Sequence, residues 1–110
     1  MVSSTYRPEE LGKEVVAPSG YYVPIQEEVV EYDGRSLLVV RGTGCIESSC
    51  CGAGTWEYLR VEGYVSEPDY SRHKSEGLDL ALETVEDECE KADIGELLLS
   101  RHPGARIEFR

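Results

Sequence analysis

Glu27-Glu28-Val29-Val30-Glu31-Tyr32-Asp33-Gly34-Arg35-Ser36-Leu37-Leu38-Val39-Val40-Arg41 decides the fold class. Asp-Gly between two extended apolar segments is a strong short-range hairpin signal. A type I′ turn needs positive φ at both central residues, and Asp and Gly tolerate it. The run Leu37–Val40 is apolar on both faces, which predicts a central strand covered on both sides, or a helix packed on one face and a neighbouring subunit on the other. Downstream, Trp56–Val65 reads as a third strand. Leu59, Val61 and Val65 fall on one face at period two; Trp56, Tyr58, Arg60, Glu62 and Tyr64 fall on the other. These segments predict an antiparallel meander.

Upstream, residues 1–12 are polar and read as a flexible arm. Lys13–Ala17 is a short strand candidate, ended by the turn triplet Pro18-Ser19-Gly20. Pro24 confines Tyr21–Pro24 to a sheet edge. Beyond the meander, Glu67–Lys74 is polar and carries Pro68, and reads as a loop. Ser75 is then an N-cap candidate, with Glu76 and Asp79 favouring a first turn. Leu78, Leu82, Val85, Cys89 and Ala92 form one stripe of an amphipathic helix. Asp93-x-x-Glu96 reads as a capping box that starts a second helix, with Ile94, Leu97 and Leu98 as its apolar face. His102-Pro103-Gly104 stops it, and Arg106–Phe109 closes the chain as a last strand. The expected order is β-β-β-β-α-α-β. That is an α+β fold: a mostly antiparallel β-meander, two C-terminal helices packed on one face, and a short final strand.

The 110 residues suit a single domain, 1–110. The net charge is −11, from 22 acidic and 11 basic residues. Phosphate neutralisation needs clustered Lys and Arg. Here Lys13, Lys74 and Lys91 are the only lysines and the eight arginines are scattered, so no nucleic acid and no anionic membrane is expected as partner. A basic protein partner is compatible with the charge. No apolar stretch approaches the ~20 residues that span a bilayer. The N-terminus carries no basic region followed by an apolar core, so the chain reads as cytoplasmic. The sequence has no Asn, one Gln and one Met. Such depletion occurs in heat-stable proteins, whose cytoplasm tolerates disulfides.

The stretch Gly42–Trp56 joins the second and third strands. It holds Cys45, Cys50 and Cys51 and four of the eleven glycines. Glycine there permits unusual dihedrals, and a connection so long exceeds a minimal hairpin. Cys89 is the fourth cysteine, on the apolar stripe of the expected helix. Thiolates bind metal or attack substrates, so Cys45, Cys50, Cys51 and Cys89 are the candidate site residues, as metal ligands or as disulfide partners. Four thiolates suit tetrahedral zinc or an iron–sulfur cluster. Cys45-x4-Cys50 matches part of a plant-type ferredoxin spacing, but the next cysteine is adjacent and not three residues on. The redox alternative is a vicinal Cys50–Cys51 disulfide with Cys45 as resolving thiol. Buried, chemically inert cysteines are the bland alternative.

A cysteine nucleophile needs a base. His73 and His102, the only histidines, fall in an expected solvated loop and at an expected helix stop. An enzyme is therefore not favoured. Gly42-Thr43-Gly44 follows a strand, but no helix and no Gly-Lys-Ser/Thr continues it, which excludes a phosphate loop. Trp56, Tyr58 and Tyr64 share the outer strand face, which is either a partner-binding or homodimer surface or is covered by the N-terminal arm with Tyr21 and Tyr22. Glu27, Glu28 and Glu31 read as a solvated face.

Ser49-Cys50-Cys51-Gly52-x-Gly54, followed by Val61-x-Gly63-Tyr64-Val65, resembles a small prokaryotic family of unknown function with an SCCG loop and a Gly-Tyr strand. The resemblance covers 17 residues, 49–65. That family has a further Cys just after the loop, where this chain has Thr55 and Trp56. The resemblance implies no activity. The function expected is a small thiol-based metal-binding or redox module; the alternative is an interaction protein that dimerises through its aromatic strand face.

Overall fold

The computed structural model describes residues 3–7, 9, 11–13, 15–17, 20–46 and 54–110, with backbone alone at 3–4, 15–17, 20–21, 45–46 and 54–56. In chain order the elements are β1 (Ser3–Tyr6), β2 (Val15–Ala17), β3 (Gly20–Tyr32), β4 (Arg35–Ile46), β5 (Gly54–Val65), α1 (Glu67–Glu76), β6 (Leu80–Glu83), α2 (Glu88–Arg101) and β7 (Arg106–Phe109). They form an α+β fold around one seven-stranded sheet, ordered β1-β6-β5-β4-β3-β2, with β7 also paired to β5. The β3–β4–β5 meander is antiparallel, and β7 lies parallel to β5. A parallel pair needs a long return path, which α2 supplies.

The expected hairpin turn is present. Asp33 has φ 50° and Gly34 φ 73°, the two positive angles a type I′ turn requires. Successive strand residues face opposite sides, so the apolar run of β4 serves two cores. Leu37 and Val39 pack with Val30, Leu59, Val61, Tyr64 and the α2 residues Ile94 and Leu98. Leu38 and Val40 pack on the other face with Tyr6, Val65, Leu80 and Leu82, and Tyr70 of α1 joins them. The two helices therefore cover opposite faces, where one shared face was expected. Each face of β4 is apolar and needs its own cover.

Two bulges set the pattern. The first, at Ile25, lets Tyr21–Pro24 and Glu27–Tyr32 run as the single strand β3. Gly42 stands opposite it: a Cβ there would lie 2.2 Å from the Val23 carbonyl oxygen. The second leaves Glu62 as an extra residue, since Leu38 opposes Gly63 while Val39 opposes Val61. It moves Tyr64 to the α2 face and Val65 to the α1 face, which breaks the period-two assignment made from sequence.

The region after β5 departs from expectation. The polar segment Glu67–Glu76 is a helix. Ser66 Oγ accepts the Asp69 N–H at 3.4 Å, and Gly77, at φ 68°, closes the far end. Pro68 sits in the first turn, where its missing N–H costs nothing. Because Gly77 ends α1, Leu80–Glu83 is free to be a strand: Leu80 and Leu82 are buried and Ala81 is exposed. The 3–4 spacing of Leu78, Leu82 and Val85 is thus not one helix face. Asp87 caps α2, its Oδ1 accepting the Cys89 and Glu90 N–H groups at 2.8 and 3.1 Å. Asp93 and Glu96 lie inside that helix. The stop at His102-Pro103-Gly104 and the last strand Arg106–Phe109 are as expected.

The arm expected over residues 1–12 is in part a strand. β1 pairs antiparallel with β6, and Tyr6 is fully buried. The turn expected at Pro18 and Ser19 lies outside the described residues, between the paired Ala17 and Gly20. Among the described residues, no helix is long and apolar enough to cross a membrane.

Candidate functional site

The cysteines separate. Cys45 lies near the end of β4, opposite Tyr21 on β3 and Thr55 on β5. Its side chain, with Cys50 and Cys51, lies outside the described residues. Cys89 is a free, exposed thiol in the first turn of α2, not on a buried stripe. That turn lies at the Asp33–Gly34 end of the sheet: Asp93 accepts a 3.3 Å hydrogen bond from Tyr32, and Glu90 faces Tyr64. Tyr64 opposes Leu37, eight residues from Cys45 along β4. At about 3.3 Å per residue this is roughly 26 Å. Thiolates sharing one zinc sit about 2.3 Å from the metal. Cys89 therefore cannot complete a one-chain metal set with Cys45.

The α1 face carries a buried polar group that the sequence did not announce. His73, expected in a solvated loop, is in α1 with its side chain 3% exposed. Its Nε2 is 2.8 Å from Glu27 Oε2, and its Nδ1 bonds the Leu78 carbonyl oxygen at 2.5 Å. With an oxygen acceptor at each ring nitrogen, both bonds are complete when both nitrogens carry a proton. Tyr70 donates to the other Glu27 oxygen at 3.4 Å. The Tyr6 ring lies edge-on to His73, centroids 5.7 Å apart. Burial, and then the neighbouring Glu27 carboxylate, hold the Tyr6 hydroxyl well above the usual phenol range.

A second ion group adjoins it. Glu62, the fully buried bulge residue, accepts from Arg60 Nε at 2.6 Å and from Arg110 Nη1 at 3.0 Å. The Arg60 guanidinium lies 5.5 Å from the centre of the Tyr22 ring, which stacks on Tyr58 at 4.0 Å. On the opposite face, His102 ends α2 with its Nδ1 2.7 Å from Glu57 and its Nε2 3.7 Å from Glu28.

These groups tie elements together. A His–carboxylate pair can act as a general base only if it reaches a substrate proton. His73 and Glu27 are buried, and both ring nitrogens are engaged. The pair fastens α1 to β3, and His102 fastens the end of α2 to β3 and β5. Glu27, read as solvated, is the central acceptor of the α1 clamp. Its signal in the sequence was faint: the bulge after Pro24 is what turns it inward. Among the described residues, no cluster of three or more His, Cys, Asp or Glu side chains is arranged to hold a metal ion.

The aromatic strand face is divided by the bulge. Tyr58 is buried on the α1 face and Tyr64 on the α2 face. Neither is available as the dimer surface expected from sequence, and the Trp56 side chain lies outside the described residues. The described surface has several open hollows, among them one of about 180 Å³ lined in part by His73 and Leu78. One of about 250 Å³ is lined by Val29, Ser36, Val65, Glu67, Tyr70 and Ser71. It adjoins a wider cleft of about 460 Å³ that adds Glu31, Arg35 and Glu83.

No protein-family model, curated protein or solved structure matches this chain.

Proposed function

We propose that the chain is a small thiol module, working through Cys45, Cys50 and Cys51 at one end of the β4–β5 hairpin. Strand register carries this reading. Pairing continues to Cys45–Thr55 and Ile46–Gly54, so Cys50 and Cys51 fall in a seven-residue span, 47–53, whose two ends join one paired ladder. Three thiols within seven positions of sequence, at the mouth of a paired hairpin, favour chemistry that joins thiols. One form is a thiophilic metal centre, with zinc or an iron–sulfur cluster as candidates and a non-cysteine ligand in the fourth position. The other is a disulfide, formed as two thiols give two protons and two electrons to an oxidant. Burial of the His73–Glu27 pair supports a non-catalytic role over hydrolysis.

Native mass spectrometry of anaerobically purified protein, with a free-thiol count on the same sample, tests this. Added mass that disappears in Cys45→Ala, Cys50→Ala and Cys51→Ala supports a metal site. A metal-free mass two protons light supports the disulfide. Cys89→Ser changes neither. If alanine at all three hairpin cysteines leaves metal content and thiol reactivity unchanged, the module reading fails.

A further inference from the structure

Among the described residues, the outer edge of β3 is open from Gln26 to Tyr32. The short strand β2 pairs with β3 only at Gly20–Tyr22, and the Gly12 N–H takes the Pro24 carbonyl. From Gln26 to Tyr32 the strand bonds β4 on one side. On the other side, among the described residues, no backbone group has a partner. In an antiparallel strand every second residue turns both its N–H and C=O outward. These seven residues therefore offer a ready ladder for one more strand.

Chemistry beside the edge favours one kind of occupant. Glu28 and Glu31 point to opposite faces along it, and Glu67 of α1 borders the adjoining hollow. The hollow reaches the edge strand through Val29 and is floored by Val65 and Tyr70. Ile25, 62% exposed, flanks the start of the edge. The whole chain carries −11, so a second copy would bring the same charge and the same carboxylates to the contact. Like charges opposed across strands destabilise pairing.

We propose that the Gln26–Tyr32 edge of β3 accepts an extended basic peptide as an added strand. Its apolar side chains enter the hollow under α1, and its Lys or Arg side chains, on the opposite face, meet Glu28 and the Asp93 carboxylate that Tyr32 bonds. Backbone bonds to the edge supply affinity, while the hollow and the carboxylates select alternating apolar and basic residues. This interaction is independent of the cysteines.

The test is a titration of ¹⁵N-labelled protein with the capped peptide Arg-Val-Arg-Leu-Arg-Val-Arg, read by amide shifts and hydrogen exchange. Shifts and slowed exchange concentrated at residues 26–32 are expected. Glu28→Lys weakens binding about fivefold or more, whereas Glu86→Lys, an equal charge change on an exposed residue outside β3, weakens it far less. The same peptide methylated on alternate amides does not bind. Three results would overturn the proposal: shifts spread over the acidic surface, equal effects of the two Lys variants, or undiminished binding of the methylated peptide. Sedimentation that shows peptide-free protein pairing through residues 26–32 would also overturn it, by making a second copy the occupant.

Discussion

Replacing Glu62 with Gln keeps the side chain's shape and removes only its charge. Glu62 is fully buried, and Arg60 is 10% exposed at the side chain, its Nη2 2.5 Å from Glu62 Oε1. Arg110 approaches the second oxygen at 3.0 Å from a site one-third exposed. Removing one partner of a buried pair costs about 3–5 kcal/mol, because the other charge stays desolvated. Water reaching Arg110 places this case at the low end, about 3 kcal/mol. That is a large share of the 5–15 kcal/mol typical of a whole domain. With a urea slope of about 1.5 kcal/mol/M, the midpoint falls by about 2 M. Urea unfolding followed by far-ultraviolet circular dichroism measures it. The double variant Arg60→Met/Glu62→Leu removes both buried charges and should recover to within about 1 kcal/mol of wild type. A Glu62→Gln midpoint within about 0.5 M of wild type would refute the reasoning, since the carboxylate would then not be the counter-charge that Arg60 needs.

Gly63→Ala should destabilise by more than about 2 kcal/mol: φ is +146°, and the new Cβ would lie 2.5 Å from the Glu83 carbonyl oxygen; thermal melting checks this. Glu27→Gln removes the charged acceptor of His73 and Tyr70 and should cost about 1–3 kcal/mol, with amide exchange in α1 rising before that in α2. Burial, with nearby carboxylates, raises the Tyr6, Tyr64 and Tyr70 hydroxyls above the usual phenol range. The folded chain then holds these protons after the unfolded chain has lost them, so stability is intact below about pH 10 and falls as pH rises beyond it. Tyrosinate absorbance should lag in native protein relative to urea-unfolded protein, and coincident titrations would contradict the burial of Tyr6.

The meander was legible because its signals are local. Asp33-Gly34 specifies its turn through backbone conformation alone, and the two-faced run Leu37–Val40 requires cover on both sides whatever supplies it. His102-Pro103-Gly104 stops α2 by the same local chemistry. Cys45, Cys50 and Cys51 stand in the sequence as a density of thiols between two strands. The His73–Glu27 clamp was not legible. Glu67–Glu76 has few apolar residues, so no helical stripe announced it, and Gly77, which closes it, fell inside a helix expected to start at Ser75. Leu78, Leu82, Val85 and Cys89 fit a helical spacing, yet Gly77 and Asp87 divide them among a turn, a strand and a new helix. Periodicity in a short window does not separate these outcomes when the apolar residues are sparse.

Local chemistry alone dictates a charge of −11, a hairpin at Asp33-Gly34, a β4 with two apolar faces, and three thiols in one connection. Tertiary structure decided which residues are buried together. The bulges at Ile25 and Glu62 shift the strand register by one residue, and a one-residue shift moves side chains to the other face. Through them Glu27 meets His73, and Tyr58 and Tyr64 part to opposite faces. The packing of α2 likewise sets Cys89 at the far end of the sheet from Cys45. Such meetings depend on pairing between segments distant in the chain, a distance that no local spacing encodes.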